Sequence, residues 1–161
     1  MSDAPDIRQY SPEDELVLIA LIRELQAHER QHYDRMLAPE DIAGWYVDDL
    51  KRDCRDHAGH IRLAWLAGKC VGYCVILTRV RNEEADEEPF DYAYVSELAV
   101  TGAARGSGIG KTLLADAEQL ARAADARWLR VSVLSRNALA REVYTGYGFR
   151  DHLTTMEKPL T

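Results

Sequence analysis

The residues with the clearest chemical potential are Arg105-Gly106-Ser107-Gly108-Ile109-Gly110-Lys111-Thr112, followed by Leu113 and Leu114. Closely spaced glycines ahead of a helical apolar stripe can cradle phosphate. Backbone N–H groups at a helix start converge on one spot, and the helix dipole adds positive potential there. Glycine lets the backbone approach closely and take positive φ. Gly110-Lys111-Thr112 is the ending of a nucleoside-triphosphate loop, G-x-x-x-x-G-K-[ST], but that motif needs glycine where Arg105 stands. No apolar strand here ends in the aspartate that would hold magnesium. The dinucleotide fingerprint G-x-G-x-x-G fits Gly106 and Gly108, then needs glycine where Lys111 stands. Each template misses by one residue, and a backbone cradle has fixed geometry.

A third pattern, [QR]-x-x-G-x-[GA], fits in full from Arg105 to Gly110. A second constellation lies downstream in "NALAREVYTGYGF": Asn137, Ala140, Tyr144 and Gly148-Phe149. Asn137 and Tyr144 are seven residues apart, so they differ by only about 20° around a helix and face the same way. Taken alone, Tyr144 reads as a buried helix tyrosine. The two signatures, in this order and with these elements between them, resemble the GNAT superfamily of acyl-CoA-dependent N-acyltransferases, and the resemblance runs from "DIRQY" to "MEKPL". It implies that Arg105, Gly106, Ser107, Gly108, Ile109 and Gly110, flanked by Lys111 and Thr112, hold the pyrophosphate of coenzyme A. Arg105 would add a charge-assisted bond. It also implies that Asn137 contacts the pantetheine arm and that the Tyr144 hydroxyl lies near the sulfur. A phenol of pKa ~10 is a reasonable proton donor to a thiolate whose conjugate acid is near ~8.5. The expected cosubstrate is acetyl-CoA and no metal is required.

The same resemblance makes "YVSELAV" the fourth strand, splayed from "LRVSVL", with pantetheine along Leu98, Ala99 and Val100. A backbone N–H near Leu98 would face the thioester carbonyl. Glu97 is the candidate general base, because an ammonium of pKa ~10 must lose a proton before it attacks. The residues alone leave a second reading open, in which Glu97 only holds structure or binds substrate charge. Another chemical motif, "HERQH" from His28 to His32, matches the zinc-protease pattern H-E-x-x-H. Its extended form needs glycine and histidine where Arg35 and Ala38 stand, so these residues read as a polar helix end. The stretch "LIRELQAHE" instead resembles the first helix of the diamine (polyamine) acetyltransferase branch, which walls the acceptor side.

The elements that must position these residues follow from periodicity. "DIRQY" (6–10) reads as a strand. Ser11, Pro12 and Asp14 form a helix start, and Leu16, Ile19, Ala20, Ile22 and Leu25 continue it as an apolar stripe. A second helix is predicted from Pro39 to about Arg55. Residues 60–66 and 70–80 form a hairpin around "AGK", 92–100 a strand, 109–124 a helix, 127–134 a strand, and "NALAREVYTGYG" a short helix capped by Asn137. "FRDHLTTMEKPL" closes the chain with strand-like sequence. The predicted fold is α/β (α+β): one domain over residues 1–161, with a mixed, mostly antiparallel sheet flanked by helices, to which the resemblance adds a splay between the fourth and fifth strands.

Bulk properties set the limits. The 161 residues are 47% hydrophobic and 29% charged, with a net charge of −7. That balance suits a core-forming domain and offers no basic stripe for nucleic acid. Cys54, Cys70 and Cys74 lack the spacing of a disulfide framework or a zinc clasp. Cys70 and Cys74 are expected on one face of a strand, as core filling. No apolar run approaches ~20 residues, and the first ten residues lack a signal-peptide pattern, so the expectation is a cytoplasmic protein with no membrane partner. Five carboxylates in "EEADEEP" (83–89) read first as a solvated loop and second as a collar for a cationic acceptor, joined by Asp48, Asp49 and Glu97. The expected function is transfer of acetyl from acetyl-CoA to a primary amine of a small cation or peptide. The alternative is a non-catalytic acyl-CoA-binding regulatory module. Dimerisation is expected by family analogy alone.

Overall fold

The computed structural model describes residues 4–161. Its centre is a five-stranded sheet in the order β1 (Asp6–Gln9), β2 (Gly59–Leu66), β3 (Lys69–Arg81), β4 (Asp91–Val100), β5 (Leu129–Val131). All neighbours are antiparallel except β4 and β5, which run parallel because helix α3 (Ile109–Ala123) crosses between them. Two helices, α1 (Glu15–Glu29) and α2 (Gly44–Asp56), precede the hairpin, and α4 (Ala138–Tyr147) follows β5. The predicted mixed sheet with a splay between its fourth and fifth strands is the observed one.

The centre of β3 explains the layering. "CVGYCVILT" is apolar at both parities, and the strand is buried from Gly72 to Thr78. A strand that buries both faces must be covered on both. Tyr73, Val75 and Leu77 meet Leu18, Leu21, Ile22, Val47 and Leu50 of α1 and α2. Cys74 and Ile76 meet Ile109, Leu113, Leu114, Ala117 and Ala121 of α3 on the other face. Arg62 on β2 clamps α3 in place by donating to both oxygens of Asp116, Nε to Oδ2 at 2.8 Å and an Nη to Oδ1 at 2.9 Å. The start of α1 is set as expected. A 3-10 turn over Pro12–Asp14 leads into it, and the Ser11 N–H donates to Asp14 Oδ2 at 2.9 Å.

Three expectations need correction. Cys70 and Cys74 lie on opposite faces of the sheet, not on one. Trp65 pairs with Cys70 while Ala64 pairs with Gly72, so Val71 is a bulged residue that flips the alternation. The strand predicted over 127–134 is only Leu129–Val131. The closing stretch "FRDHLTTMEKPL" forms no strand: residues 150–161 are without regular structure and exposed. It has strand-like composition but pairs with no strand and leaves the edge of β5 open, and β-propensity without a partner makes no strand.

Candidate active site

The glycine loop folds into a cradle. Gly106 and Gly108 both take positive φ, at 80° and 85°, and Gly108 caps α3. An added Cβ at either would meet nothing within 4 Å, so the demand for glycine comes from backbone conformation, not from crowding. The Thr112 N–H donates to Gly108 O at 3.1 Å, closing the first turn of α3. Among the described residues the N–H groups of Ile109, Gly110 and Lys111 have no acceptor, as expected of a helix start. They open onto a groove of about 660 Å³ that runs along Leu98, Ala99 and Val100 and passes Ser132 and Val133 to Asn137 and Tyr144. The groove exists because β5 pairs with β4 only at Ala93, Tyr94 and Val95. Beyond Val95, β4 has no neighbour on that side.

Most residues expected to hold coenzyme A line this groove: Leu98, Ala99, Val100, Arg105, Gly106, Gly108, Ile109, Gly110, Lys111 and Asn137. Ser107 and Thr112 do not. The Ser107 hydroxyl donates to Ala104 O, and the Thr112 hydroxyl donates to Gly108 O at 3.2 Å. Arg105 Nε donates to Val100 O at 3.2 Å, which fixes the start of its guanidinium beside the groove. Asn137 has two neighbours. Its Oδ1 accepts the Ala140 N–H at 3.2 Å as the cap of α4, and its side chain also lies beside His28.

A second, smaller cavity of about 110 Å³ continues past Leu98, walled by Ile22, Leu25, Gln26 and Glu29 of α1, Tyr46 of α2, and Val95, Ser96 and Glu97 of β4. Glu97 enters it through a bulge. Val75 pairs with Glu97 and Ile76 with Val95, so Ser96 is the extra residue. Without it Glu97 would share a face with Val95, packed under α3. With it, Glu97 turns toward α1 and α2. There Tyr46 OH donates to Oε1, and Tyr73 OH donates to Oε2 at 2.6 Å. Burial raises the Glu97 pKa above the ordinary carboxylate range, and the two phenol bonds hold part of that rise back. Both tyrosines are held protonated, by burial first and by the Glu97 charge second.

Tyr144 stands where the groove and the small cavity meet, lining both. Its ring packs edge-on against Phe149 with centroids 5.7 Å apart. Its hydroxyl has no hydrogen-bond partner among the described residues. Burial raises its pKa, with the Cys74, Glu29 and Tyr94 groups adding to the rise, so it carries its proton at neutral pH. Cys74 is 0% exposed behind it and its thiol is also pushed up by burial.

Tyr46 and Tyr73 escape the sequence reading, while His28 and Glu29 fall in the stretch expected, by resemblance, to wall the acceptor side. The tyrosines come from elements remote in sequence, and nothing in the pattern announces a shared carboxylate. His28 and Glu29 had a readable signal. Ile22, Leu25, Gln26 and Glu29 fall on one helical stripe, and the stripe faces the cavities. The polar helix end is thus a wall of the site, with His28 in the groove and its imidazole shifted toward the neutral form by burial, Arg105 and His32. Other candidates stay outside. The acidic loop before β4 lines neither cavity; its Glu87 accepts from Asn82 Nδ2 at 2.7 Å. Asp48 and Asp49 pair with Lys51 and Arg52 at 3.5 and 2.9 Å. Among the described residues no group of three or more His, Cys, Asp and Glu is arranged to hold a metal ion.

Solved structures of known proteins share this fold. A mutant of the BH1408 protein from Bacillus halodurans superposes with a TM-score of 0.81 at 21% identity, covering 97% of this chain and 99% of that one. The aminoglycoside 6'-N-acetyltransferase AAC(6')-IG from Acinetobacter haemolyticus gives 0.72 at 13% identity, over 97% and 99%. The aminoglycoside N-acetyltransferase AAC(6')-Iy, in complex with CoA, gives 0.66 at 15%, over 96% and 99%. At these identities the likeness shows the fold. No curated protein matches the sequence. The Acetyltransferase (GNAT) family profile matches residues 19–149, most of the chain. A splayed sheet, a glycine cradle and this match together carry one conclusion: the chain belongs to the GNAT family of acetyltransferases.

Proposed function

We propose that the protein transfers the acetyl group of acetyl-CoA to a primary amine of a small cationic molecule or peptide, by direct attack in a ternary complex. The observation that carries this reading is the meeting of groove and cavity at Tyr144, with Glu97 on the far wall. Bound acetyl-CoA supplies the acetyl thioester. The chain's own residues manage its charge and the protons. The cradle from Arg105 to Lys111 fits a pyrophosphate, because its free N–H groups and positive-φ glycines converge at the start of α3. Glu97 takes a proton from the incoming ammonium, directly or through water. The nitrogen lone pair forms the C–N bond, the C–S bond breaks, Tyr144 gives its proton to the sulfur, and the second proton shed by the nitrogen passes through water to the Tyr144 phenolate, leaving an amide and a free thiol. A backbone N–H near Leu98 steadies the carbonyl oxygen.

Direct attack is supported by what lines the chamber. Cys74 is buried behind Tyr144 and held as a thiol, so it is a poor nucleophile. Tyr144 also argues against a pure acyl-CoA-binding module, which needs no unpartnered phenol at the sulfur end. The diamine branch is favoured by one feature only, the wall that α1 contributes through Ile22, Leu25, Gln26 and Glu29. A homodimer is favoured by the open edge of β5 and by the exposed apolar residues Leu153, Met156 and Leu160, at 84%, 89% and 90% exposure. The test of function is thiol release from acetyl-CoA across a panel of alkylamines, diamines, aminoglycosides and peptides. Release with at least one amine supports transfer. Tight CoA binding with no release from any of them supports the binding module.

A further inference from the structure

The small cavity carries two carboxylates in different states. Glu97 is bonded by two phenols. The carboxylate of Glu29, the last residue of α1, has no hydrogen bond or ion pair among the described residues. It lines both the small cavity and the main groove, and its charge reaches Glu97 on β4, Tyr46 on α2, Tyr73 on β3 and Tyr144 on α4. Among the described residues the wall of the small cavity contains no lysine, arginine or histidine, and the His28, Arg105 and Lys111 side chains of the adjoining groove form no ion pair with Glu29. A half-buried carboxylate without a cation is costly to keep, and it would be relieved by one arriving with a ligand.

Resting on the proposed transferase reading, we infer that Glu29 anchors the ammonium of the acceptor, and that the acceptor enters as a slim, unbranched primary alkylamine arm. The size follows from the cavity. About 110 Å³ holds on the order of four to seven non-hydrogen atoms, at roughly 15–30 Å³ each. Ile22, Leu25, Val95 and Val131 offer apolar contact to a short methylene stem, and Ser96, Ser132 and Gln26 add polar contact at its sides. A whole sugar ring does not fit in that space; an aminomethyl arm carried on a ring outside does. The two carboxylates then divide the work. Glu29, without a partner, draws the cation in, and Glu97, steadied by its phenols, takes the proton.

Burial raises the pKa of Glu29 above the ordinary carboxylate range. A carboxylate with a raised folded-state pKa binds more protons in the native state than in the unfolded one, so its ionisation costs stability as pH rises through that interval. Glu29→Gln removes the cost. The inference therefore predicts a variant that melts higher than wild type at pH 8 and binds amine worse.

The probe is butylamine, titrated by calorimetry into CoA-loaded protein, with cyclohexylamine as the bulky control. Expected results are a butylamine Kd raised at least tenfold in Glu29→Gln, a CoA Kd within twofold of wild type, and weaker binding of cyclohexylamine than of butylamine to wild type. Glu97→Gln should weaken butylamine less than Glu29→Gln does, while lowering kcat more. An unchanged butylamine Kd in Glu29→Gln, or no butylamine binding by wild type, overturns the inference. Because the readout is binding, it stands whether or not turnover is seen. Absence of thiol release from wild type would count against the transferase reading alone.

Discussion

The two ends of the site are built from different material. The cradle end is made of backbone: N–H groups at the start of α3, two glycines at positive φ, and one arginine. The chamber end is made of side chains drawn from α1, α2, β4, β5 and α4, with Glu97 turned inward by a one-residue bulge at Ser96 and held from behind by Tyr73 of β3. A backbone device tolerates many side chains and demands a few glycines at fixed spacing. A side-chain device tolerates changes of spacing within each element and demands that distant elements agree. The first device keeps its ligand through changes of side chain, while the second changes its ligand with them.

This contrast can be broken by substitution. The largest effect belongs to Tyr144→Phe. Loss of a general acid lowers kcat by about 10²–10⁴-fold, with the CoA Kd near wild type, measured by steady-state kinetics beside calorimetry. A kcat within threefold of wild type would remove Tyr144 from the chemistry. Next comes Gly108→Ala at the cradle. A non-glycine residue at φ 85° costs about 1–2 kcal/mol, and the distorted N–H groups weaken acetyl-CoA binding about tenfold. Here kcat at saturation should change least, the reverse of the Tyr144 pattern. Equal losses in kcat for both variants would erase the division between the two ends.

A smaller effect sharpens the chamber. Tyr73→Phe removes one of the two phenol bonds that restrain the Glu97 pKa. That pKa then rises further. A base works only when deprotonated, so the acidic limb of kcat/KM moves to higher pH in the variant, while the alkaline limb stays. An acidic limb that stays in place in Tyr73→Phe, and again in Glu97→Gln, takes the base assignment away from Glu97. The smallest effect is expected of Ser107→Ala. Its hydroxyl donates to Ala104 O and does not line the groove, so acetyl-CoA binding should change by less than about twofold, within the few tenths of a kcal/mol of an exposed neutral bond.

The same contrast explains what could be read from the sequence. Arg105, Gly106, Gly108 and Gly110 were legible because backbone geometry ties residue type to spacing, and one misplaced glycine was enough to reject two rival templates. The mixed sheet was legible because the strand–helix–strand crossover of the second half makes two strands parallel beside an antiparallel hairpin. Glu97 was visible as a carboxylate, but the face it takes was not. Its direction depends on the bulge at Ser96, and a period-2 pattern carries no mark of an inserted residue until pairing is known. Val71 hid the faces of Cys70 and Cys74 in the same way. Tyr46 and Tyr73 were invisible as partners of Glu97 because the separations, 51 and 24 residues, are spanned only by the folded chain. Glu29 sat in the helix expected to wall the acceptor side, but that its carboxylate lines the cavity beside Glu97 shows only in the folded chain. The exposed tail after Phe149 misled in the other direction, with strand composition but no partner strand.

The central claim is direct passage of acetyl from the cradle-bound cosubstrate to an amine in the chamber. The most direct measurement mixes protein with acetyl-CoA carrying a labelled acetyl group, first without amine and then with an amine that supports thiol release, and follows the label in the protein and in small molecules. Direct transfer predicts no label fixed on the protein before amine is added, and afterwards one labelled amide per thiol released. Label held covalently by the protein before the amine arrives, and chased from it into the amide, would contradict it.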